Sequence, residues 1–286
     1  MCTLKYSVVV NTMNTFEKHD VLVSEKFIEK FAQKYVEQRN RLNYDIDNEN
    51  IFNDIEFSTE TLKSILKKNS VARDYKREKN IQPAILNDIY RSDLGELLMT
   101  YYFEEKIESE SRFIIPIKNI SYRELAEQPG RGIDAIGYNN NNDKINLLLG
   151  EAKVSGQKRN PPAVVDTSSD SIYHTQKKYN DDYVAILRKL SDYCRRLHAE
   201  EAKILGAVIV QMDAEKHDLY NLTFGCTLIR DYTCVDESKD FGKMKTNQKV
   251  FSPNTIHFSI LSFTENDIET TVDLFYKKVQ ELISVK

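Results

Sequence analysis

The sequence predicts an α/β protein in which a mixed sheet is flanked by helices. Short apolar runs alternate with longer amphipathic stretches throughout residues 81–286. Two of these runs surround the polar turn Asn139–Asp143, which is typical of a β-hairpin. Apolar residues then recur at helical spacing from Ile268 to Leu282, which indicates a terminal amphipathic helix.

The individual elements follow from the same patterns. The predicted order is helix 84–106, strands 112–118, 132–138 and 145–154, helix 172–199, strands 204–211, 223–234 and 255–263, and helix 265–285. Ser92 or Asp93 is suited to cap a helix start near Arg91, and Thr264 is suited to cap the last helix. Consecutive prolines interrupt residues 155–171, which are expected to form a mobile loop.

Residues 1–80 differ from the rest and are predicted to form a separate, mainly helical extension. The patterns indicate a strand at Met1–Val10, a helix at Ser24–Arg41 and a short helix at Thr59–Lys68, with a polar linker at 43–53. This region contains no recognisable catalytic motif. Two interpretations remain open for it, docking of a partner protein or a simple structural lobe.

Composition limits the class of protein. The chain has 286 residues, of which 41% are hydrophobic, and no apolar run approaches the length of a membrane span. Its start lacks the pattern of a secretory signal, and its four cysteines form no close pair suited to zinc or a disulfide framework. The sequence therefore predicts a cytoplasmic protein. It also lacks the glycine-rich loop of a nucleotide-driven motor.

Two carboxylates and a lysine meet at one end of the predicted hairpin. Asp134 begins one apolar strand, and Glu151 and Lys153 end the next. Residues two apart on a strand face the same side, so Glu151 and Lys153 point together while Ala152 packs inward. Mg²⁺, or Mn²⁺ in its place, prefers such oxygen ligands, and a nearby lysine can stabilise charge on a phosphate. Glu-x-Lys is common by itself in a chain with 29% charged residues, so the apolar context carries the prediction of a metal-dependent phosphodiesterase.

A third carboxylate, Glu96, falls early in the helical pattern that begins near Arg91. Large apolar residues flank it, including Leu97 and Tyr101. A carboxylate in such surroundings is paired or bound to a cation. The alternative is a glutamate that the helix macrodipole favours near an N-terminus, and the sequence leaves both interpretations open.

In this order, the three segments resemble the PD-(D/E)xK nuclease superfamily and, more closely, the HamA family, the nuclease subunit of the Hachiman antiphage defence system. The segments are Leu94–Glu96, Arg131–Asp134 and Gly150–Lys153. The resemblance covers about residues 85–286. It implies a restriction-endonuclease-like core, metal binding by Glu96, Asp134 and Glu151, a catalytic lysine at Lys153, and a separate helicase subunit as partner.

Basic residues are concentrated after this motif although the net charge is −4. The candidates for DNA contact in the predicted helix 172–199 are Lys177, Lys178, Arg188, Arg195 and Arg196. For any one of them, a solvated helix face is the simpler interpretation. RecB-like members of the superfamily carry a Gln and a Tyr four residues apart in this helix, whereas Gln176 and Tyr179 are three apart here. A DNA-contacting role for Gln176 therefore stays open.

The expected function is a Mg²⁺-dependent deoxyribonuclease that works with a helicase in antiphage defence. Two alternatives remain. One is a scaffold or DNA-binding subunit of the helicase complex with little catalytic role. The other is a stand-alone restriction-type endonuclease, against which the acidic net charge and the lack of an evident DNA-reading module count.

Overall fold

The computed structural model describes residues 2–10, 14–40, 59–71, 83–123, 125–128, 130, 132–141 and 144–284. One mixed sheet of seven strands carries helices on both faces, which confirms the predicted α/β class. The predicted linker 43–53 lies outside the described residues. None of the described helices is both long and apolar enough to cross a membrane.

The elements have the following bounds. The strands are β1 (Cys2–Val10), β2 (Asn14–Val21), β3 (Ile114–Lys118), β4 (Ala135–Asn141), β5 (Lys144–Ser155), β6 (Tyr220–Asp231) and β7 (Thr255–Phe263). The α-helices of the described residues are α1 (Glu25–Arg39), α2 (Thr59–Asn69), α3 (Pro83–Tyr101), α4 (Asn119–Tyr122), α5 (Ala163–Asp166), α6 (Ile172–Asp181), α7 (Tyr183–Cys194), α8 (Ala199–Asp213), α9 (Gly242–Thr246) and α10 (Ile268–Ser284). A π-helix, Tyr102–Lys106, continues α3.

The strand order is β1-β2-β7-β6-β5-β4-β3. Strands β2, β7, β6 and β5 are mutually parallel. On one side β1 pairs with β2 in antiparallel fashion. On the other side β4 is antiparallel to both β5 and β3. The N-terminal strands thus extend the same sheet, because β2 pairs with β7 from Thr15 to Val21. The region predicted as mainly helical contributes two strands as well as two helices. Its role in partner docking stays a prediction.

The central strands are buried on both faces. Leu147 and Leu149 of β5 belong to the core that includes α7 and α8, whereas Leu148 belongs to the core that includes α1, α3 and α10. Side chains alternate across a strand, so a continuous apolar run suits a strand covered by helices on both sides. Each fully buried leucine contributes about 1.5–3 kcal/mol.

The predicted strand 204–211 is wrong, since these residues lie within helix α8. The run is rich in β-branched residues, which favour strands. Its buried side chains are nevertheless Leu205, Val208 and Met212, spaced by three and four residues along one helix face. Packing of that face on the sheet overrides the local β propensity.

The predicted single helix 172–199 is two helices, α6 and α7. The chain leaves helical geometry at Asp182, whose carboxylate accepts a hydrogen bond from the backbone N–H of Ala185 at 3.2 Å. Asp182 is therefore the N-cap of a new helix.

The residues predicted as helix caps are wrong. Helix α3 begins at Pro83, which confirms the predicted start at residue 84, so Ser92 and Asp93 lie inside it. Asp93 is fully buried against Arg123 and Tyr276. The last helix begins at Ile268, where the Asp267 carboxylate accepts from Thr270 N–H at 2.7 Å. Thr264 instead donates its hydroxyl to the Val21 carbonyl oxygen.

Candidate active site

Strands β4 and β5 bring Asp134 beside Glu151, as the hairpin predicts. The antiparallel register pairs Ala135 with Gly150, so Asp134, the residue before Ala135, lies opposite Glu151, the residue after Gly150. The backbone N–H of Ala152 donates to Asp134 Oδ2 at 2.8 Å. This bond fixes one carboxylate oxygen and leaves the other available to a ligand.

Glu151 and Lys153 share one face of β5, which confirms the predicted strand geometry. Lys153 Nζ lies 3.1 Å from Glu151 Oε1 and 3.5 Å from Asp170 Oδ2. Ala152 points the other way and is buried in the core. Glu151 is also buried, whereas Lys153 keeps about a fifth of its side chain exposed, 21%, and can still reach a substrate.

Glu96 approaches this pair from helix α3. It is 3% exposed and lies well inside the helix, so the alternative of a charge at a helix N-terminus does not apply. Its Oε1 accepts from Asn119 Nδ2 at 3.4 Å. Its Oε2 is buried and has no hydrogen-bond partner among the described residues. A buried oxygen without a partner costs free energy, which a cation would recover.

Asn119 is a site residue that the sequence did not reveal. Besides its side-chain bond to Glu96, its backbone N–H donates to the Asp134 carbonyl oxygen at 2.8 Å. A Cβ at Gly130 would lie 1.7 Å from Asn119 Nδ2, so only glycine fits there. Asn119 links α3 to the start of β4, and a lone Asn at a strand end carries no motif that would have announced this role.

Burial raises the pKa of all three carboxyl groups. The pKa of Asp134 rises to about 6, since burial outweighs its bond from Ala152 and the charge of Lys153. The pKa values of Glu96 and Glu151 rise well above the usual range, through burial first and the charge of Asp134 second. Burial opposes the charged form of Lys153, but Glu151 and Asp134 raise its pKa above the ordinary value. Ionising these neighbouring carboxyl groups together therefore costs free energy, and a bound divalent cation would lower that cost.

The donor set suits Mg²⁺ or Mn²⁺, which prefer oxygen and use only one or two protein carboxylates. Asp134 and Glu151 provide that pair. Glu96, whose Oε2 has no hydrogen-bond partner among the described residues, is close enough for the charge of Asp134 to raise its pKa. In the part of the chain that the structure describes, no group of three or more His, Cys, Asp or Glu side chains is already gathered as a metal cluster. The fit therefore rests on the Asp134–Glu151 pair, with Glu96 next to it.

Gln176, for which the sequence leaves a DNA-contacting role open, is buried against the sheet. It is 1% exposed, and its Nε2 donates to the Leu149 carbonyl at 3.0 Å and the Gly225 carbonyl at 3.5 Å. It ties α6 to β5 and β6, because the helix turns this face to the sheet. Tyr179 lies on the same face, and its pKa is raised to about 12 by burial and by the charges of Glu151 and Asp134.

The predicted DNA-contacting basic residues lie on and after two helices rather than one. Lys177 pairs with Asp181, and Arg196 pairs with Asp192. The remaining candidates are exposed and have no acidic partner among the described residues: Lys178, Arg188 and Arg195. Pairing lowers the capacity of the first two to neutralise phosphates, so the remaining three are the stronger candidates.

Lys189 of α7 reaches the loop that leads to Asp134. A Cβ at Gly132, whose φ is +101°, would lie 2.7 Å from Lys189 Nζ. The left-handed backbone at this position favours glycine. Lys189 therefore brings a second positive charge to the side of the site, a position that its sequence neighbours did not indicate.

The loop after β5, predicted to be mobile, is bonded to the core in its first half. Arg230 is fully buried, pairs with Asp240, and donates to the carbonyl oxygens of Ser155 at 3.0 Å and Gln157 at 2.6 Å. Asp170, which follows helix α5 in the same segment, contacts Lys153, as Glu151 also does. The loop thus delivers a carboxylate to the rim of the site.

Comparison with known proteins gives one assignment. A family model named HamA matches residues 9–279, nearly the whole chain. Neither a curated protein nor a solved structure matches the chain. The match begins near the end of β1 and ends within α10, so it covers strands β2 to β7 and the candidate active site. The chain belongs to the HamA family and is a component of a Hachiman antiphage defence system.

Proposed function

We propose that this protein is a metal-dependent deoxyribonuclease, a phosphodiester hydrolase with a restriction-endonuclease-like (PD-(D/E)xK) core, working in the cytoplasm. The observation that carries the proposal is the convergence of Asp134, Glu151 and Lys153 at one end of a hairpin, with the buried carboxylate of Glu96 beside them. Membership of the HamA family supports the defence role.

The residues divide the chemistry among them. Asp134 and Glu151, assisted by Glu96, would hold Mg²⁺ or Mn²⁺, which when bound supplies polarisation of the phosphate and a more acidic water. The raised pKa of Lys153 keeps it an ammonium, so it acts as a fixed positive charge and hydrogen-bond donor toward the phosphate rather than as a base. Asn119 holds Glu96 in place through its side-chain amide.

A helicase subunit of the same defence system is the proposed partner. Phosphate neutralisation by Lys and Arg dominates non-specific DNA affinity. A chain of net charge −4, whose candidate DNA-contacting residues include two already paired with acids, should capture DNA weakly by itself. A DNA-translocating partner would supply substrate to the site and restrain cleavage until needed.

The test is cleavage of linear and supercoiled plasmid with Mg²⁺, by the chain alone and with its helicase. Glu151→Gln and Lys153→Ala should each slow cleavage at least about 100-fold, since the lost interactions are worth several kcal/mol. Lys144→Ala is the matched control, because Lys144 is exposed at the other end of the same strand.

Each outcome selects one function. Cleavage by Glu151→Gln at the wild-type rate would remove these residues from the active site. Equal cleavage with and without the helicase would support the stand-alone endonuclease. No cleavage by either preparation, with DNA binding by the complex that depends on this chain, would support the scaffold.

A further inference from the structure

An apolar cavity of about 330 Å³ opens between the end of β2, helix α1 and the end of α3. Phe27, Phe31, Leu98 and Leu261 form much of its wall. The ring of Phe31 meets that of Tyr101 edge-on with centroids 5.1 Å apart, so the wall is largely aromatic. Such a cavity is large enough to bury one large apolar side chain.

The rim of the cavity is positively charged. Lys26, Lys30 and Lys106 line it, and no acidic residue of the described chain does. Lys30 is bonded to Glu105 at 2.9 Å. Lys26 and Lys106 are exposed and have no acidic partner among the described residues.

Two acidic residues in the first half of α1, Glu25 and Glu29, lie on a different side of the helix. The pKa of Lys278, on α10, is raised by its bond to Glu281 and by the charges of Glu29 and Glu25. These two glutamates therefore lie toward the last helix. The side of α1 that borders the cavity keeps its lysines, so its charge is complementary to an acidic ligand.

The cavity shares a helix with the candidate active site. Leu98 and Tyr101 line it from α3, two and five residues after Glu96. The π-helix that follows supplies Tyr102 and Lys106 to the same wall. A single turn of π-helix is rare and often marks a functional site. A ligand in the cavity would press on the helix that positions Glu96.

We propose that this cavity docks a segment of the partner subunit in which a large apolar side chain stands beside acidic residues. The inference rests on the proposed function, since the partner is the helicase subunit of the same system. A buried aromatic or aliphatic anchor supplies the affinity of such an interface, and the two exposed lysines select an acidic sequence around it. The surface belongs to α1 and to the helix of Glu96, so docking and catalysis are physically connected.

The first experiment measures the dissociation constant of the purified helicase subunit for the full chain. Lys26→Glu combined with Lys106→Glu should weaken the complex at least tenfold, and Leu22→Asp, at an exposed lining position, should do the same. Lys203→Glu, an exposed lysine on α8, is the control and should bind as the wild type does. Binding by the double variant within twofold of wild type overturns the docking site and leaves the partnership standing. Failure of the wild type to bind overturns the partnership itself.

The second experiment identifies the occupant. A photoreactive benzoylphenylalanine placed at Leu22 should cross-link to a partner segment that carries Phe, Leu, Ile, Met or Trp next to Asp or Glu. A cross-link to a basic or wholly polar segment, or to DNA, overturns the proposal. Metal-dependent cleavage by the isolated double variant should equal that of the isolated wild type, because neither lysine lies at the active site.

Discussion

Replacing Asp134 by Asn should stabilise the metal-free protein while abolishing cleavage. Asn keeps an oxygen that can accept the hydrogen bond from Ala152 N–H, so the local geometry is preserved. It removes a partly buried charge that interacts with the carboxyl groups of Glu96 and Glu151. Stability and activity should therefore change in opposite directions, as expected where a site holds like charges for a cation.

The size of the effect follows from the pKa of Asp134, which rises from an ordinary 3.8 to about 6. A pKa difference of one between the folded and unfolded states corresponds to about 1.4 kcal/mol, so this rise sets an upper bound of about 3 kcal/mol. Partial exposure of the carboxyl lowers the expected effect to about 1–3 kcal/mol. The folded state holds the proton more tightly than the unfolded state, so stability is lost as pH rises from about 4 through about 6.

The assay is urea unfolding in EDTA at pH 7.5 and at pH 4, with Asp134→Asn against wild type. The variant should be more stable by about 1–3 kcal/mol at pH 7.5, and the difference should largely vanish at pH 4. Added Mg²⁺ should stabilise the wild type and leave the variant unchanged. Asp192→Asn, which removes a surface partner of Arg196, is the control and should change stability by less than about 1 kcal/mol. The reasoning would be refuted by a variant that is less stable than wild type at pH 7.5. A difference in unfolding free energy that is the same at both pH values would also refute it.

Three further predictions concern residues around the site. Gly130→Ala should push Asn119 away from Glu96, because the new Cβ would lie 1.7 Å from the amide nitrogen of Asn119. Cleavage should then slow at least about tenfold, and wild-type kinetics in a folded variant would contradict this. Gln176→Leu should cost about 1–3 kcal/mol of stability, because it removes the two hydrogen bonds that the amide donates to the Leu149 and Gly225 carbonyls, yet it should leave DNA affinity unchanged. A loss of DNA affinity without a loss of stability would support a DNA-contacting role for Gln176. Lys178→Ala should weaken DNA binding by the complex for all sequences alike and reduce the slope of log affinity against log salt by about 1, which a salt titration measures.

The local patterns of this chain were sufficient for most of its elements. Strand β7 occupies 255–263, as predicted, and the hairpin of β4 and β5 places Asp134 beside Glu151. Alternation with a period of two residues is a property of the strand itself, so side-chain direction can be predicted from sequence. The failures at 204–211 and at Asp182 occurred where burial of one helix face, or a capping side chain, outweighed propensity.

The placement of Asp134, Glu151 and Lys153 together could also be predicted from the sequence, since carboxylates and a lysine at strand ends are local features. The approach of Glu96 through Asn119, the buried position of Gln176 and the contact of Lys189 with Gly132 could not be. Each joins segments far apart in the chain, and such contacts depend on how helices pack on the sheet.

The sequence by itself determined that Asp134, Glu151 and Lys153 meet at one end of a hairpin, and which strands present them. Only the tertiary structure decided that the N-terminal strands complete the same sheet, that burial raises the pKa of three neighbouring carboxyl groups, and that a lysine-rimmed cavity lies along the helix of Glu96. The physical reason is range. Periodicity and capping act over a few residues, whereas burial and electrostatic coupling arise only when distant segments exclude water together.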